Sequence, residues 1–236
     1  MKSIPYQAQK LQPLILYADN HLLAINKPAG MLSQDSGTGH RNLEDWAREW
    51  VRVDKNKSGA VFLNAVHRID KAVSGIVLFA RTSKALSRLN EEIRKRKCKK
   101  IYHALVEGSP PHPQGKLINW LTHESHRARI CREGEKGAQQ AILTYQTLLP
   151  TLGTLSLLEI DLETGRYHQI RAQLAAMGNP IAGDTKYGAK QTYPDGSIAL
   201  HHRQLKITHP TLKEQIIISA PYPSGSPWWQ KIGLEP

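Results

Sequence analysis

Cysteine is scarce in this chain, with only Cys98 and Cys131 among 236 residues, and the two do not form a C-x-x-C pair. That pattern excludes a disulfide scaffold and argues against a zinc site built from thiolates. The chain also lacks an apolar run long enough to span a bilayer, and its first twenty residues lack the unbroken apolar core of a secretory signal. We therefore expect a reduced, cytoplasmic protein with no membrane association.

Nucleotide-binding and metal-binding patterns are missing as well. The glycines at 37–39 form neither G-x-G-x-x-G nor a phosphate-binding loop. The histidines of "HESH" (123–126) and of 201–202 have no accompanying set of carboxylates or thiolates at ligand spacing. We expect no metal, no nucleotide cofactor and no other cofactor.

Acidic residues are few relative to basic ones. The chain has 32 Lys plus Arg against 20 Asp plus Glu, a formal net charge of +12. An excess of this size points to a polyanionic partner, nucleic acid first and an anionic membrane surface second. The densest basic run exceeds what the C-terminus of a helix needs to match its dipole, and it predicts an RNA-backbone contact surface. That run contains Arg94, Lys95, Arg96, Lys97, Lys99 and Lys100.

Hydrophobic periodicity predicts short strands and helices in alternation. Two apolar runs around residues 18–20 predict a β-hairpin. Helices are expected over 42–52, with Asn42 as N-cap, and from Thr82 or Ser83 onward. A third helix, in "RYHQIRAQLAAMG", is closed by Gly178. Further strands are predicted in "SGIVLFAR", "IYHALVEG", "LSLLEIDLETG", "ALHHRQLKITHP" and "KEQIIISAP".

The organisation that follows is a mixed α and β chain without repeats. Its strands pair mainly with near neighbours, which favours an α+β fold with a largely antiparallel sheet over a doubly wound one. We expect residues 1–13 to form a leader and residues 14–236 a single domain. Residues 122–140, polar and rich in His and Arg, are expected to form a hairpin excursion.

Asp70 is the first candidate for chemistry. It lies in "HRIDKAVSG" (67–75), directly before a strand that is apolar throughout. A carboxylate placed beside a core strand needs a partner, because burying an unpaired charge is costly. Asp70 is therefore either a structural turn residue, paired with Arg68 or Lys71, or a catalytic acid.

Two further residues could complete such a site. Arg171 lies at the edge of the apolar stripe of the third helix, where it could pair bidentately with a buried carboxylate or extend into solvent. Tyr102 shares a strand face with Ala104 and Val106, a position that suits either a core tyrosine or a ring that stacks on a nucleobase.

These segments together resemble the RluA branch of the pseudouridine synthases. The family signatures HRxDxxTSGxxLxA, K-x-Y and TGRxHQxRxHLxxxGxPIxGDxxYG are matched from His67, from Lys100 and from Thr164. Val73 and Gln173 stand where a threonine and a histidine are usual. "NKPAG" (26–30) and "LHHRQLKITHP" (200–210) resemble the opening and closing segments of the family. The likeness covers nearly the whole chain and implies the catalytic domain alone, without an S4 domain.

The resemblance implies an α+β sheet flanked by helices around a central catalytic cleft. It also implies an RNA pseudouridine synthase that converts uridines of folded rRNA or tRNA, works without a cofactor and is a monomer. Asp70 would be the catalytic carboxylate, Arg171 its ion-pair partner and Tyr102 the ring that stacks on uracil. The implied substrate-binding residues are Lys27, His67, Arg68, Arg166, His168 and Leu200.

Two alternatives stay open at this point. A non-catalytic RNA-binding or assembly factor on the same fold would tolerate loss of Asp70 but not of the basic run. A hydrolase that cleaves the glycosidic bond would usually need a second carboxylate. Asp184, which lies in a loop, is interpreted as structural.

Overall fold

The computed structural model describes residues 12–35, 37, 42–55, 59–192 and 195–234, so most of the predicted leader lies outside the described residues. The chain forms two compact units. Unit 1 contains the described residues of Met1–Cys98 together with Leu205–Pro221, and unit 2 contains those of Lys99–Gln204 together with Tyr222–Pro236. A single catalytic domain over 14–236 stays a prediction.

Unit 1 is a sheet with two helices. Its order is β1-β2-β4, with β3 also paired to β4, and β10 lies next to β4 and β11. The pairings of β2 with β1 and with β4 are antiparallel. The strands are β1 (Ile15–Ala18), β2 (Leu22–Lys27), β3 (Asn64–Ala65), β4 (Ser74–Ala80), part of β10 (Leu200–Thr208) and β11 (Gln215–Ser219). The helices are α1 (Leu43–Asp54) and α2 (Ser83–Arg94).

The core of unit 1 explains why β4 is apolar along its whole length. All seven of its residues are buried. Ile76 and Leu78 pack in one cluster with Leu22 of β2, Leu89 of α2 and Ile207 of β10. A strand covered on both faces loses the polar alternation of a half-exposed strand, which is the pattern that the sequence shows.

Unit 2 is a second set of neighbouring strands in the order β10-β5-β9-β8-β6-β7. From β5 to β7 every pairing is antiparallel. The strands are β5 (Lys99–Glu107), β6 (Gln114–Glu124), β7 (Arg127–Cys131), β8 (Gln139–Leu152) and β9 (Leu155–Leu162). The helices are α3 (Gln169–Ala176) and α4 (Pro227–Gln230), and a short 3-10 helix covers Thr185–Tyr187.

Close packing in unit 2 requires glycine at position 183. Gly183 has φ +89°, and a Cβ there would lie 2.5 Å from Trp228 Cζ2 and 2.7 Å from the Ser197 carbonyl oxygen. Gly178 also has a positive φ, +92°, but a Cβ built there would have no atom within 4 Å. At Gly178 only the backbone conformation calls for glycine, whereas at Gly183 the lack of a side chain is needed too.

Most predicted elements are confirmed. The hairpin at 18–20 is present, and the side chains of Asn42 and Thr82 accept the capping hydrogen bonds of α1 and α2. Gly178 follows the last turn of α3, although that helix begins later than predicted, at Gln169. The mixed α+β class is confirmed, and the polar segment at 122–140 does contain a hairpin, formed by β6 and β7.

Two expectations needed correction. The basic run was placed at a helix C-terminus, but α2 ends at Arg94, residues 95–98 form a turn, and Lys99 and Lys100 already belong to β5. The long strand β8 is absent from the sequence predictions: its first two residues lie in the predicted excursion, and no element is predicted for the rest. Among the described residues, none of the helices is both long and apolar enough to cross a membrane.

Candidate active site

Asp70 lies in unit 1, on the short segment between β3 and β4. The Asp70 side chain is half-buried, and its carbonyl oxygen accepts a hydrogen bond from the Val73 amide at 3.1 Å, which closes a turn. Ile69 before it is buried, whereas Arg68 is exposed. The turn therefore presents the acid at the edge of the core with a cation beside it in sequence.

Ser33 holds this segment through the backbone of Ile69. Its hydroxyl donates to the Ile69 carbonyl oxygen at 2.8 Å and accepts from the Ile69 amide at 3.2 Å. Ser33 is itself buried. Since both backbone groups of Ile69 are satisfied by one side chain, the position of the next residue, Asp70, depends on Ser33.

Lys27 supports the same turn from its other end. Its ammonium group donates to the carbonyl oxygens of Pro28 at 2.8 Å, Met31 at 2.8 Å and Lys71 at 3.3 Å. Burial lowers the pKa of Lys27 to about 7, and the nearby Asp70 carboxylate opposes that shift. With 0 % of its surface exposed and carbonyl oxygens around its amine, Lys27 does not fit the predicted contact with substrate. Its place in the structure is that of a support for the Asp70 turn.

His67 also has a role within unit 1. Its Nε2 accepts a hydrogen bond from the Leu78 amide of β4 at 3.3 Å. That bond ties the start of the HRID segment to the core strand. Arg68 of this segment is exposed, and its contact with substrate stays a prediction, as does that of His67.

Arg171 lies in unit 2, on α3, and is buried. Its Nε donates to Asp184 Oδ2 at 2.7 Å and its Nη2 to Asp184 Oδ1 at 2.9 Å, a bidentate pair. Asp184 is only 1 % exposed, and Arg171 Nη1 lies 2.9 Å from His168 Nε2. The guanidinium is thus held in one orientation. The pairing of Arg171 with Asp70 stays a prediction.

The turn before α3 is fixed by a glutamine. Gln169 Oε1 accepts from the Thr164 hydroxyl at 2.7 Å and from the Arg166 amide at 3.0 Å, and Gln169 Nε2 donates to the Ile142 carbonyl oxygen at 3.1 Å. Arg166 Nε donates to the Gln140 carbonyl oxygen at 3.0 Å. This network explains why Gln169 is buried, and it sets the start of the helix that carries Arg171.

Tyr102 lies on β5, where every residue from Lys100 to Val106 is buried. Its ring stacks on His202 of β10, with centroids 4.4 Å apart and planes 10° from parallel. Leu200 of β10, another predicted substrate contact, is buried as well. One face of the Tyr102 ring is therefore already used by an aromatic neighbour.

The predicted RNA-backbone residues divide by exposure. Arg94, Lys95, Arg96 and Lys97 are exposed. Lys99 is exposed too but lies 3.3 Å from Asp161 in an ion pair. Lys100 is only 9 % exposed, which does not fit a surface contact with phosphate.

Sequence reasoning missed the residues that position the site. Ser33 and Gln169 form hydrogen bonds with backbone groups, and no pattern of residue types in the sequence predicts such bonds. Asp184 is interpreted as structural from the sequence, and the structure shows its partner, Arg171, which donates two hydrogen bonds to its carboxylate. Gln173, at the position where the family usually has histidine, is buried and donates to Asn119 Oδ1 at 2.7 Å.

Comparison with known proteins decides which family these residues represent. A family model described as RNA pseudouridylate synthase matches residues 21–176, a range that includes Asp70, Tyr102 and Arg171. The chain belongs to this family. Members are isomerases that act on RNA, and the synthase described here is one of them.

Individual relatives agree with this assignment. The synthase is 32% identical over 213 residues to the dual-specificity RNA pseudouridine synthase RluA of Pasteurella multocida, covering 88% of this chain and 92% of the relative. It is 34% identical over 218 residues to the ribosomal large subunit pseudouridine synthase C of Vibrio vulnificus, covering 90% of this chain and 66% of the relative.

A solved structure supports the fold. The human RNA pseudouridylate synthase domain containing 4 matches the synthase with a TM-score of 0.76 and 25% identity, over 92% of this chain and 91% of that one. The similarity extends over both sets of strands, so it supports the α+β fold along most of the chain. No comparison favours the non-catalytic alternative.

Proposed function

We propose that the synthase isomerises specific uridines of folded ribosomal or transfer RNA in the cytoplasm, with Asp70 as the catalytic carboxylate. The names of its relatives support these substrate classes, since one is named for the large ribosomal subunit and another for dual specificity. The net charge of +12 supplies the attraction for a polyanion that such a substrate requires.

The reaction rearranges one nucleotide without net oxidation or reduction. The bond between N1 of uracil and C1′ of ribose breaks, the base turns, and C5 forms the new bond to C1′. The proton that leaves C5 balances the one that N1 gains. The target uridine must leave its stack to reach the half-buried carboxylate of Asp70, so the enzyme has to flip the nucleotide.

Asp70 carries this proposal because its position is fixed by other side chains of unit 1. Ser33 holds the backbone of the preceding residue, and Lys27 holds the carbonyl oxygen of the following one, Lys71. A nucleophile or base must be held within a fraction of an ångström of its target, and a turn supported on both sides meets that need. The carboxylate has to be ionised in either role, attack on carbon or removal of a proton.

Tyr102 and Arg171 are proposed to complete the site. With one face of Tyr102 on His202, the opposite face is the one proposed to stack on uracil. Arg171 is proposed to keep Asp70 ionised, and its bidentate bond to Asp184 supports this role because it removes the rotational freedom of the guanidinium. Arg68, exposed beside the acid, is proposed to contact the RNA.

The test maps pseudouridines by chemical labelling and primer extension in RNA from a strain that lacks the gene. The strain is complemented with the wild type, with Asp70→Asn or with a control, Asp54→Asn, which changes an exposed acid at the end of α1. We expect a site that disappears on deletion to return with the wild type and the control but not with Asp70→Asn. Restoration by Asp70→Asn would show that the carboxylate is not catalytic.

A second measurement separates the proposal from its rivals. The purified wild type is incubated with the RNA identified by mapping, and the products are analysed for pseudouridine and free uracil. Pseudouridine without free uracil is expected, because the base is retained and rejoined. Free uracil as the main product would favour the hydrolase, and RNA binding without either product would favour the non-catalytic factor.

A further inference from the structure

Three aromatic side chains of unit 2 form a series of contacts from a half-buried ring to the surface, which we call the aromatic column: His168, Tyr167 and His123. The Tyr167 ring stacks on His168 with centroids 4.0 Å apart and planes 15° from parallel. His123 lies 4.3 Å from Tyr167 at an interplanar angle of 49°. Tyr167 is 39% exposed and His123 is exposed. The column therefore ends in a ring that faces solvent.

The outer end of the column is held in place by the β6–β7 hairpin. His123 is paired with Ala128 across the two strands, and the tight turn between them places Ser125 and His126 at φ +45° and +60°. The Tyr167 hydroxyl donates to the His126 carbonyl oxygen at 3.3 Å. These contacts hold the hairpin backbone and the Tyr167 ring in place before any ligand binds, which lowers the entropic cost of binding to this end of the column.

Two arginines of β7 beside the column differ in their charge partners. Arg129 is balanced by carboxylates of Glu124 and Glu135, each at 2.9 Å. Within the part of the chain that the structure describes, Arg127 has no such ion pair, and its guanidinium lies 5.2 Å from the centre of the Tyr187 ring. Arg127 is exposed, and it is linked to the aromatic column through Tyr187, whose hydroxyl oxygen lies 3.0 Å from His168 Nδ1.

The exposed rings at the outer end of the column, Tyr167 and His123, and a nearby guanidinium that lacks an ion pair among the described residues match the two parts of a nucleotide. Base–aromatic stacking tolerates every base, because each base has a π-face, and a guanidinium pairs well with a phosphate. A base can reach such a surface only when it is unpaired, which is how most sequence-selective RNA recognition works.

We propose that the aromatic column and Arg127 bind an unpaired nucleobase and its phosphate, at a position of the RNA other than the uridine that is isomerised. This inference rests on the proposed function, since it requires folded RNA as the substrate. The site adds affinity for loops and bulges and discriminates against fully paired RNA.

The test uses a short RNA stem-loop with the fluorescent base 2-aminopurine in its loop, whose emission falls when the base stacks. Binding to the full chain is measured for the wild type, for His123→Ala and for the matched control His112→Ala, another exposed histidine of unit 2. We expect His123→Ala to raise the Kd by at least about fivefold and to reduce the quenching. His112→Ala should behave like the wild type.

Two further comparisons isolate the roles of charge and of the hydroxyl group. Arg127→Ala should lower the slope of log Kd against log salt by about one, whereas Arg129→Ala should leave it unchanged because its charge is already balanced. Tyr167→Phe keeps the ring and removes the bond to the His126 carbonyl oxygen that helps to hold the hairpin, so we expect a smaller loss of affinity than with His123→Ala.

Normal binding and quenching by His123→Ala would overturn the proposal and leave the column as a brace for the hairpin. So would an equal change of salt slope for Arg127→Ala and Arg129→Ala. Pseudouridine formation by Asp70→Asn would contradict the proposed catalytic role and leave the binding comparison intact, so the two proposals fail separately.

Discussion

Ser33→Ala is the substitution that tests most directly how the Asp70 turn is held. The Ser33 hydroxyl is the partner of both the amide and the carbonyl oxygen of Ile69, in a buried place. The substitution removes one oxygen atom and changes no charge. It should therefore disturb the position of Asp70 without altering the chemistry of the carboxylate.

The magnitude follows from the two backbone groups left behind. An unsatisfied buried donor or acceptor costs about 1–3 kcal/mol, so losing both bonds of Ile69 should lower the free energy of unfolding by about 2–6 kcal/mol. In a chain of this size each kcal/mol lowers the Tm by about 2–4 °C. A shift of the turn should also lower kcat about tenfold or more, because reacting groups tolerate little displacement, with a smaller effect on KM.

Thermal unfolding and steady-state pseudouridine formation measure these two effects. The matched control is Ser87→Ala, an exposed serine of α2, which should change the unfolding free energy by less than about 0.5 kcal/mol. If Ser33→Ala unfolds at the same temperature as Ser87→Ala and retains full kcat, the argument that this hydroxyl positions Asp70 is refuted.

Three other predictions concern buried groups. The pKa of Lys27 is about 7 in the folded protein, against an ordinary value of 10.5. Between these two pH values Lys27 is protonated in the unfolded chain but largely deprotonated in the folded one, so the free energy of unfolding should rise from pH 7 to 10.5. Urea titrations of the wild type should show this rise. Lys27→Met should lack that rise, and parallel curves would contradict the assignment. Asp184→Asn should destabilise the protein by about 3 kcal/mol in thermal unfolding because Arg171 loses its buried counter-charge, and an unchanged Tm would count against the pair. Gly183→Ala should cost about 1–3 kcal/mol more than Gly178→Ala, since both strain the backbone but only the former adds a clash; equal losses would argue against the crowding.

Local signals in the sequence predicted the elements that depend on near neighbours. The Asp19-Asn20 turn, the caps Asn42 and Thr82, and Gly178 after α3 are each set by a few adjacent residues. Asp70 and Arg171 are singled out by their places beside apolar elements and by compact family signatures, and their catalytic roles stay predictions.

Partners distant in sequence could not be predicted in the same way. Ser33 reaches a backbone group 36 positions away, and Lys27 reaches Lys71 across 44 positions. Such bonds leave no recognisable pattern in the sequence, because every residue type has a backbone carbonyl oxygen that can accept them. Lys100 shows another limit of prediction from sequence. Its charge predicts an exposed side chain, but Lys100 lies on the same strand as the buried Tyr102 and is itself buried.

The discontinuity of unit 1 has a consequence for synthesis on the ribosome. Its core joins Leu22 and Ile76 to Leu205 and Ile218, so the N-terminal part cannot complete its packing until the returning segment is made. Translation from residue 98 to residue 205 takes roughly 5–20 s at about 5–20 residues per second. During that time the β4 strand lacks neighbours that later cover it. Asp70, although encoded early, belongs to the unit that is finished late, and a nascent chain should complete the core behind its acid-bearing turn only after Ile218 has been made.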